Sequence, residues 1–183
     1  MAVVTTLSQS ITNADAVPPV FNTAGEGAQA PLLHINDIVT VAATDSIGST
    51  YKLVRLPTGA HVKAVTLYSV GCTTMTADID VMFSDAPSDG TPTNLGGTIP
   101  QIAAANNKLF GAAESMAALP RTDVTHANAT NYPLGSTNQP LWAVLGYASD
   151  PGGLFDIVLS TVVAPTVAGT VAVHVDYCVP GAG

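Results

Sequence analysis

From residue 32 onward, apolar and polar positions alternate in short runs broken by Gly and Pro, the period of half-buried β-strands. "LLHINDIVTVAA" is dense in branched residues and predicts a first strand. "YKLVRLPTGAHVKAVTLYSV" predicts a hairpin, with Pro57 at the first central position of its turn and Gly59 in a left-handed position closing a bulge. Beyond that turn, Val62, Ala64, Thr66 and Tyr68 alternate with His61, Lys63, Val65 and Leu67. "TADIDVMFS" puts Ala77, Ile79, Val81 and Phe83 on one face and Asp78 and Asp80 on the other. "PLWAVLGYA" and "GLFDIVLSTVVA" predict two further strands joined through "SDPGG". In the last strand, "GTVAVHVDYCV", Val171, Val173, Val175, Tyr177 and Val179 share a face opposite Ala172, His174, Asp176 and Cys178.

Two stretches break this rhythm. "NKLFGAAESMAAL" places Leu109, Ala113 and Met116 at helical spacing and predicts one short helix stopped by Pro120. Residues 1–30 show no sustained period; "VPP" favours extended chain and "AGEGAQA" is a flexible composition. The pattern therefore predicts an all-β chain: an antiparallel β-sandwich or jelly roll over residues 31–183, with at most one short helix, preceded by an extended N-terminal arm over residues 1–30. Val17, Pro18, Pro19, Val20 and Phe21 are the apolar anchors through which such an arm would bind a partner.

Composition sharpens this picture. The 183 residues suffice for one domain with a real core. Charged residues make up 10%, against roughly 25% in ordinary soluble proteins, while 47% are hydrophobic. So little surface charge suits a chain whose surface is covered by other subunits. The formal net charge is −8, and the five bases, Lys52, Arg55, Lys63, Lys108 and Arg121, form no cluster. Nucleic acid and anionic membrane surfaces are thus excluded as expected partners. No apolar run is long enough to span a bilayer, and "MAVVTTLSQS" lacks the basic start of a secretory signal. Cys72 and Cys178 form no disulfide framework and are expected to stay reduced.

Two stretches invite chemistry. "TADIDVMFSDAPSDGT" holds Asp78, Asp80, Asp85 and Asp89, but counted as an EF-hand loop from Asp78 it fails, with Met82 and Phe83 at positions five and six and Asp89 in place of Glu. Asp78 and Asp80 are expected on the wet face of a strand, and Asp85 and Asp89 in turns. In "HVDYC", His174, Asp176 and Cys178 share a strand face, yet His174 and Cys178 stand about 13 Å apart at strand rise, too far to pair. No G-x-S-x-G elbow and no phosphate-binding glycine motif occurs. No catalytic residue, cofactor or metal is expected.

Several segments in order resemble a family of tailed-bacteriophage head-associated structural proteins: "SITNADAVP", then "DSIGSTYKLVRLPTGAHVKAVTLYS" with "ADIDVMFSD", then "YPLGSTNQPLWAVLGYASDPGGLFDIVLSTVVAPTVAGTVAVHVDYCV". Their order is more telling than any single one. The last strand in that family is often more basic than here, where His174, Asp176 and Cys178 stand. The resemblance implies a non-enzymatic capsid cement or decoration protein. Such a protein is made in the host bacterial cytoplasm and bound to the outer head surface of the virion. Its partners would be the major capsid protein and further copies of itself, as a trimer or dimer. A carbohydrate- or receptor-binding module of a tail or fibre is the alternative, since jelly rolls host these often.

Overall fold

The computed structural model describes residues 31–83, 94–95, 99–100 and 108–179. In chain order the strands are β1 (Leu33–Val41), β2 (Thr50–Pro57), β3 (His61–Val70), β4 (Thr76–Phe83), β5 (Asn94–Leu95), β6 (Ile99–Pro100), β7 (Gly111–Ser115), β8 (Thr122–Asp123), β9 (Leu154–Val163) and β10 (Gly169–Cys178). Among the described residues, a 3-10 turn covers Leu134–Asn138 and a short α-helix, α1, covers Leu141–Val144. One sheet runs β1-β10-β3-β8 and the other β2-β9-β4-β7, all antiparallel; β5 and β6 pair only with each other. Among the eight strands of the two large sheets, successive strands alternate between sheets at every step but β4 to β7. That alternation is the jelly-roll form of the expected sandwich.

The long strands β2, β3, β4, β9 and β10 bury side chains in one core between the two large sheets. Val65, Leu67, Val171, Val173 and Val175 face Leu56, Ile79, Val81, Phe83, Phe155, Ile157 and Leu159, and all belong to one hydrophobic cluster. Register shifts interrupt four of the strand pairings, and two of them move residues of β2 and β3. Lys52 pairs with Val158 but Val54 with Ile157, so Leu53 is the extra residue and both Leu53 and Val54 turn inward. Likewise Ala64 pairs with Asp176 but Val62 with Tyr177, so Lys63 is extra.

Three local expectations are corrected. The stretch 51–70 is no hairpin: β2 lies in the second sheet and β3 in the first. Its turn is closed by the Ala60 N–H donating to the Pro57 carbonyl at 3.0 Å, and Gly59 is not among the residues at positive φ. The same turn residues suit an arch between sheets, and pairing with β9 and β10, more than a hundred positions away, decides the outcome. The expected helix over 107–119 is instead β7 and its flanks, with Lys108, Ala113 and Ala118 at φ +42°, +53° and +51°. Left-handed residues cannot continue a helix. Tertiary burial of Leu109, Phe110 and Met116 outweighs the local spacing. Conversely, 140–148 is no strand. It opens as α1, whose first N–H groups, Leu141 and Trp142, donate to the carbonyls of Ala60 and Thr58 in the arch.

Tyr132 ties this region to the bulge. Its buried hydroxyl donates to the Val62 carbonyl at 2.7 Å, and its ring packs on Phe110 at 4.8 Å. Tyr132→Phe keeps the ring and leaves that carbonyl short of a donor. It should cost about 1–2 kcal/mol in urea unfolding; an unchanged midpoint would show the bond contributes nothing.

Candidate interaction surface

Asp78 and Asp80 do not face water. β4 lies between β9 and β7, and every residue from Ala77 to Phe83 is buried, with Asp80 0% exposed. This corrects the expected solvent-facing Asp78 and Asp80; Asp85 and Asp89 lie outside the described residues. The cover comes in part from the 108–113 stretch that the sequence marked as helix. The Ala113 N–H donates to Asp78 Oδ1 at 2.7 Å, and the Lys108 N–H donates to Asp80 Oδ1 at 2.6 Å. Lys108 Nζ stands 3.3 Å from Asp78 Oδ2. The two aspartates thus fasten an irregular strand whose backbone departs from the ladder. On the same outer face, Asp156 is buried and held by Lys52 Nζ at 3.3 Å and by Arg55 through Nε at 2.7 Å and Nη2 at 3.1 Å.

Asp80 Oδ2 and Ser160 Oγ are both buried without a hydrogen-bond partner. Burial raises the Asp80 carboxyl to about 6, and the charge of Asp78 adds to the rise. The nearby Ser160 hydroxyl, short of hydrogen-bond geometry, and the Lys108 N–H oppose it. Calcium needs six to eight oxygens. Asp78 is already bound through both oxygens and Asp80 through one, so two free oxygen atoms suit a proton rather than a metal. Among the described residues, no group of three or more His, Cys, Asp or Glu could hold a metal ion.

The "HVDYC" residues also separate. His174 joins the Asp176 carboxylate at 3.0 Å through Nε2, bonds Asn36 Oδ1 through Nδ1, and stacks on the His34 ring at 6.1 Å. Cys178 is buried and lies opposite His61, not His174. That juxtaposition escaped the sequence because it depends on which strand pairs with β10. His61 Nδ1 has no partner; burial, then Lys63, lowers the ring's pKa. Both side chains are buried. Trp142, the single Trp, is half-buried in α1 against the core and offers no open platform to a sugar ring.

The surface that stays open is the outer face of the first sheet. Ile38, Ala172 and Tyr68 are direct cross-strand partners in one row across β1, β10 and β3. Leu67 pairs with Thr122, so Arg121 extends the row beyond Tyr68. Ile38 is 61% exposed and Tyr68 48%, and Val70 on the same face is also exposed. A depression of about 600 Å³ lies along this row, with Asn36, Asp37, Thr66 and His174 among its polar lining. The arm and its anchors, Val17, Pro18, Pro19, Val20 and Phe21, lie outside the described residues.

No protein family and no curated protein sequence matches the chain. Solved structures with similar traces include the capsid of Ralstonia phage GP4, at 17% identity and a TM-score of 0.49 over 90% of this chain and 91% of that one. The capsid asymmetric unit of cyanophage Pam1 is 17% identical, with a TM-score of 0.40 over 91% and 97%. The acidic stable capsid of Helicobacter pylori bacteriophage KHP30 is 16% identical, with a TM-score of 0.33 over 84% and 95%. At these scores the overlap is loose, and the chain's own residues carry the functional reading.

Proposed function

We propose that this chain is a non-enzymatic structural protein of a tailed-phage virion, a cement or decoration protein that binds the outer surface of the head and stabilises its lattice. The observation that carries this reading is the row Ile38, Ala172, Tyr68, left open on one sheet of a chain with only 10% charged residues. An exposed apolar row on so weakly charged a protein favours cover by protein partners. The segment resemblance to head-associated proteins supports the choice of partner, and the net charge of −8 suits an outer surface better than a DNA-facing one. The jelly roll would form a dimer or trimer over a symmetry axis of the shell, and residues 1–30 would reach a neighbouring subunit or the major capsid protein. Many modest contacts, linked through one chain, would cross-link capsomers by multivalency.

Deletion of residues 1–24 should leave the sandwich folded and weaken head binding by at least about tenfold, as loss of one arm of a multivalent contact does. Equal decoration by truncated and full-length protein on sedimented heads would remove the arm from the mechanism. Copy number in intact virions tests the role itself. Hundreds of copies on the shell support cement, and a dozen at a vertex or tail would end that reading.

A further inference from the structure

The stretch that covers Asp78 and Asp80 lies against β4 in a costly backbone conformation, and two of its holds are side-chain carboxyls. We infer that residues 108–113 form a latch over β4, shut while Asp80 carries a proton and opening, with the sandwich still folded, once that proton leaves. Lys108 and Ala113, whose N–H groups donate to Asp80 Oδ1 at 2.6 Å and to Asp78 Oδ1 at 2.7 Å, stand at φ +42° and +53°. Left-handed backbone is unfavourable for residues with a Cβ, so both joints depend on those acceptors. Between them the Phe110 N–H donates to the Ile79 carbonyl at 3.1 Å, and the Phe110 ring packs on Tyr132. The carbonyls of Lys108 and Phe110 accept from Asn128 at 2.8 and 3.0 Å. The two joints can therefore turn their N–H groups away while Phe110 stays seated.

The proton matters because of what lies under the latch. Asp80 Oδ2 and Ser160 Oγ, on neighbouring strands β4 and β9, are both buried without a partner. A proton on Oδ2 supplies a donor for the Ser160 hydroxyl and leaves Oδ1 free to accept from Lys108. A bare carboxylate there has no water on its second oxygen and stands beside the Asp78 charge. Around it stand Asp78 on its own strand, whose carboxylate takes Lys108 Nζ from the latch, and Asp156 on β9, paired by Lys52 and Arg55 of β2. Glu114 pairs with Ala77 further along β7. Opening lets water reach Oδ2. Burial, with Asp78 adding to it, lifts the Asp80 carboxyl from 3.8 to about 6 in the shut form. The shut form therefore binds the proton more tightly than the open one. The latch is tightest below about pH 4, loosens by about a hundredfold as pH rises to 6, and loosens no further above.

The test is amide exchange in the full-length protein, followed by NMR from pH 4 to 7. Protection at Lys108 and Ala113 should fall about a hundredfold between pH 4 and 6 and then level off. Modest urea should leave it unchanged while speeding exchange at Val173 and Val175 of β10, because a local opening exposes little new surface. In the same sample the Asp80 carboxyl carbon should titrate at about 6. Asp80→Asn should flatten the pH profile at Lys108 and Ala113. Four results would each overturn the latch: wild-type protection that does not change with pH, a carboxyl that titrates at its ordinary value of about 4, exchange at Lys108 and Ala113 that rises with urea as steeply as at Val173, or a variant that keeps the wild-type profile. The wild-type readings decide the matter even where the variant fails to fold. Head binding enters none of them, so the latch and the cement role stand or fall separately.

Discussion

Asp80→Asn should make the protein more stable at pH 7.5, by about 2–3 kcal/mol, although it removes a buried charge that lies beside a lysine. The Asp80 carboxyl is 0% exposed, and one of its oxygens has no partner. Burial lifts its folded-state pKa from 3.8 to about 6, and Asp78 pushes the same way. The sign follows from linkage. A folded-state pKa above the unfolded value means the folded protein binds its proton more tightly. The stability this supplies is complete below about pH 4 and is lost as pH rises to 6. At about 1.4 kcal/mol per pH unit, the loss amounts to roughly 3 kcal/mol above pH 6. Asparagine keeps an oxygen for the Lys108 N–H, adds an amide donor for Ser160 Oγ, and carries no charge against Asp78. The gain should shrink toward zero by pH 4, where Asp80 is itself neutral. Urea unfolding of both proteins at pH 4, 5, 6 and 7.5 reads this directly. A destabilised variant at pH 7.5, or a difference flat across pH, would mean that Asp80 is charged and satisfied in the fold.

That carboxyl also shows where the sequence stopped being informative. Alternation within each strand named the inner faces well: Val171, Val173 and Val175, and Ala77, Ile79, Val81 and Phe83, are buried as their period requires. The fold class followed, because alternation between turns is a local property. Pairing is not local. The arch at Pro57–Ala60 carries turn residues equally at home in a hairpin, and β2 meets β9 across about a hundred residues. The outer face of β4 was misjudged for the same reason. Alternating Asp marks a wet face only where nothing lies over it, and its cover includes the backbone of Lys108 and Ala113, in a stretch whose apolar spacing mimics a helix. These two errors share one cause: Asp80 and Asp78 hold the Lys108 and Ala113 N–H groups and so fasten this stretch along β4 as an irregular strand. The open row on the first sheet was invisible for a related reason, since Ile38, Ala172, Tyr68 and Arg121 come from four separate parts of the chain.

Gly169→Ala should be the most damaging glycine-to-alanine change among the described residues. A Cβ at Gly169 would stand 2.3 Å from the Val70 carbonyl oxygen, 2.4 Å from the Cys72 amide nitrogen and 2.6 Å from Cys72 Sγ. Two of those three are backbone atoms, so no rotamer change relieves the clash. Here the loop after β3 and the loop before β10 pack backbone to backbone. Gly71 makes the reciprocal approach at φ +79°, where its own Cβ would meet the Ala168 carbonyl oxygen at 2.5 Å. Parting the two loops would pull at the ladder that begins where Thr170 pairs with Val70. The expected cost is above about 3 kcal/mol, in the range of severe overpacking or worse. Gly135→Ala is the control: no atom lies within 4 Å of its Cβ and its φ is not positive, so it should fall within about 0.5 kcal/mol of wild type. Cys72 supplies a second readout. Its thiol is fully buried, and burial raises its pKa, so it should resist alkylation in the wild type. If Gly169→Ala folds at all, local opening at this joint should speed alkylation of Cys72 before global unfolding begins. A variant within 1 kcal/mol of wild type, with Cys72 still protected, would mean that the two backbones stand farther apart than this geometry requires.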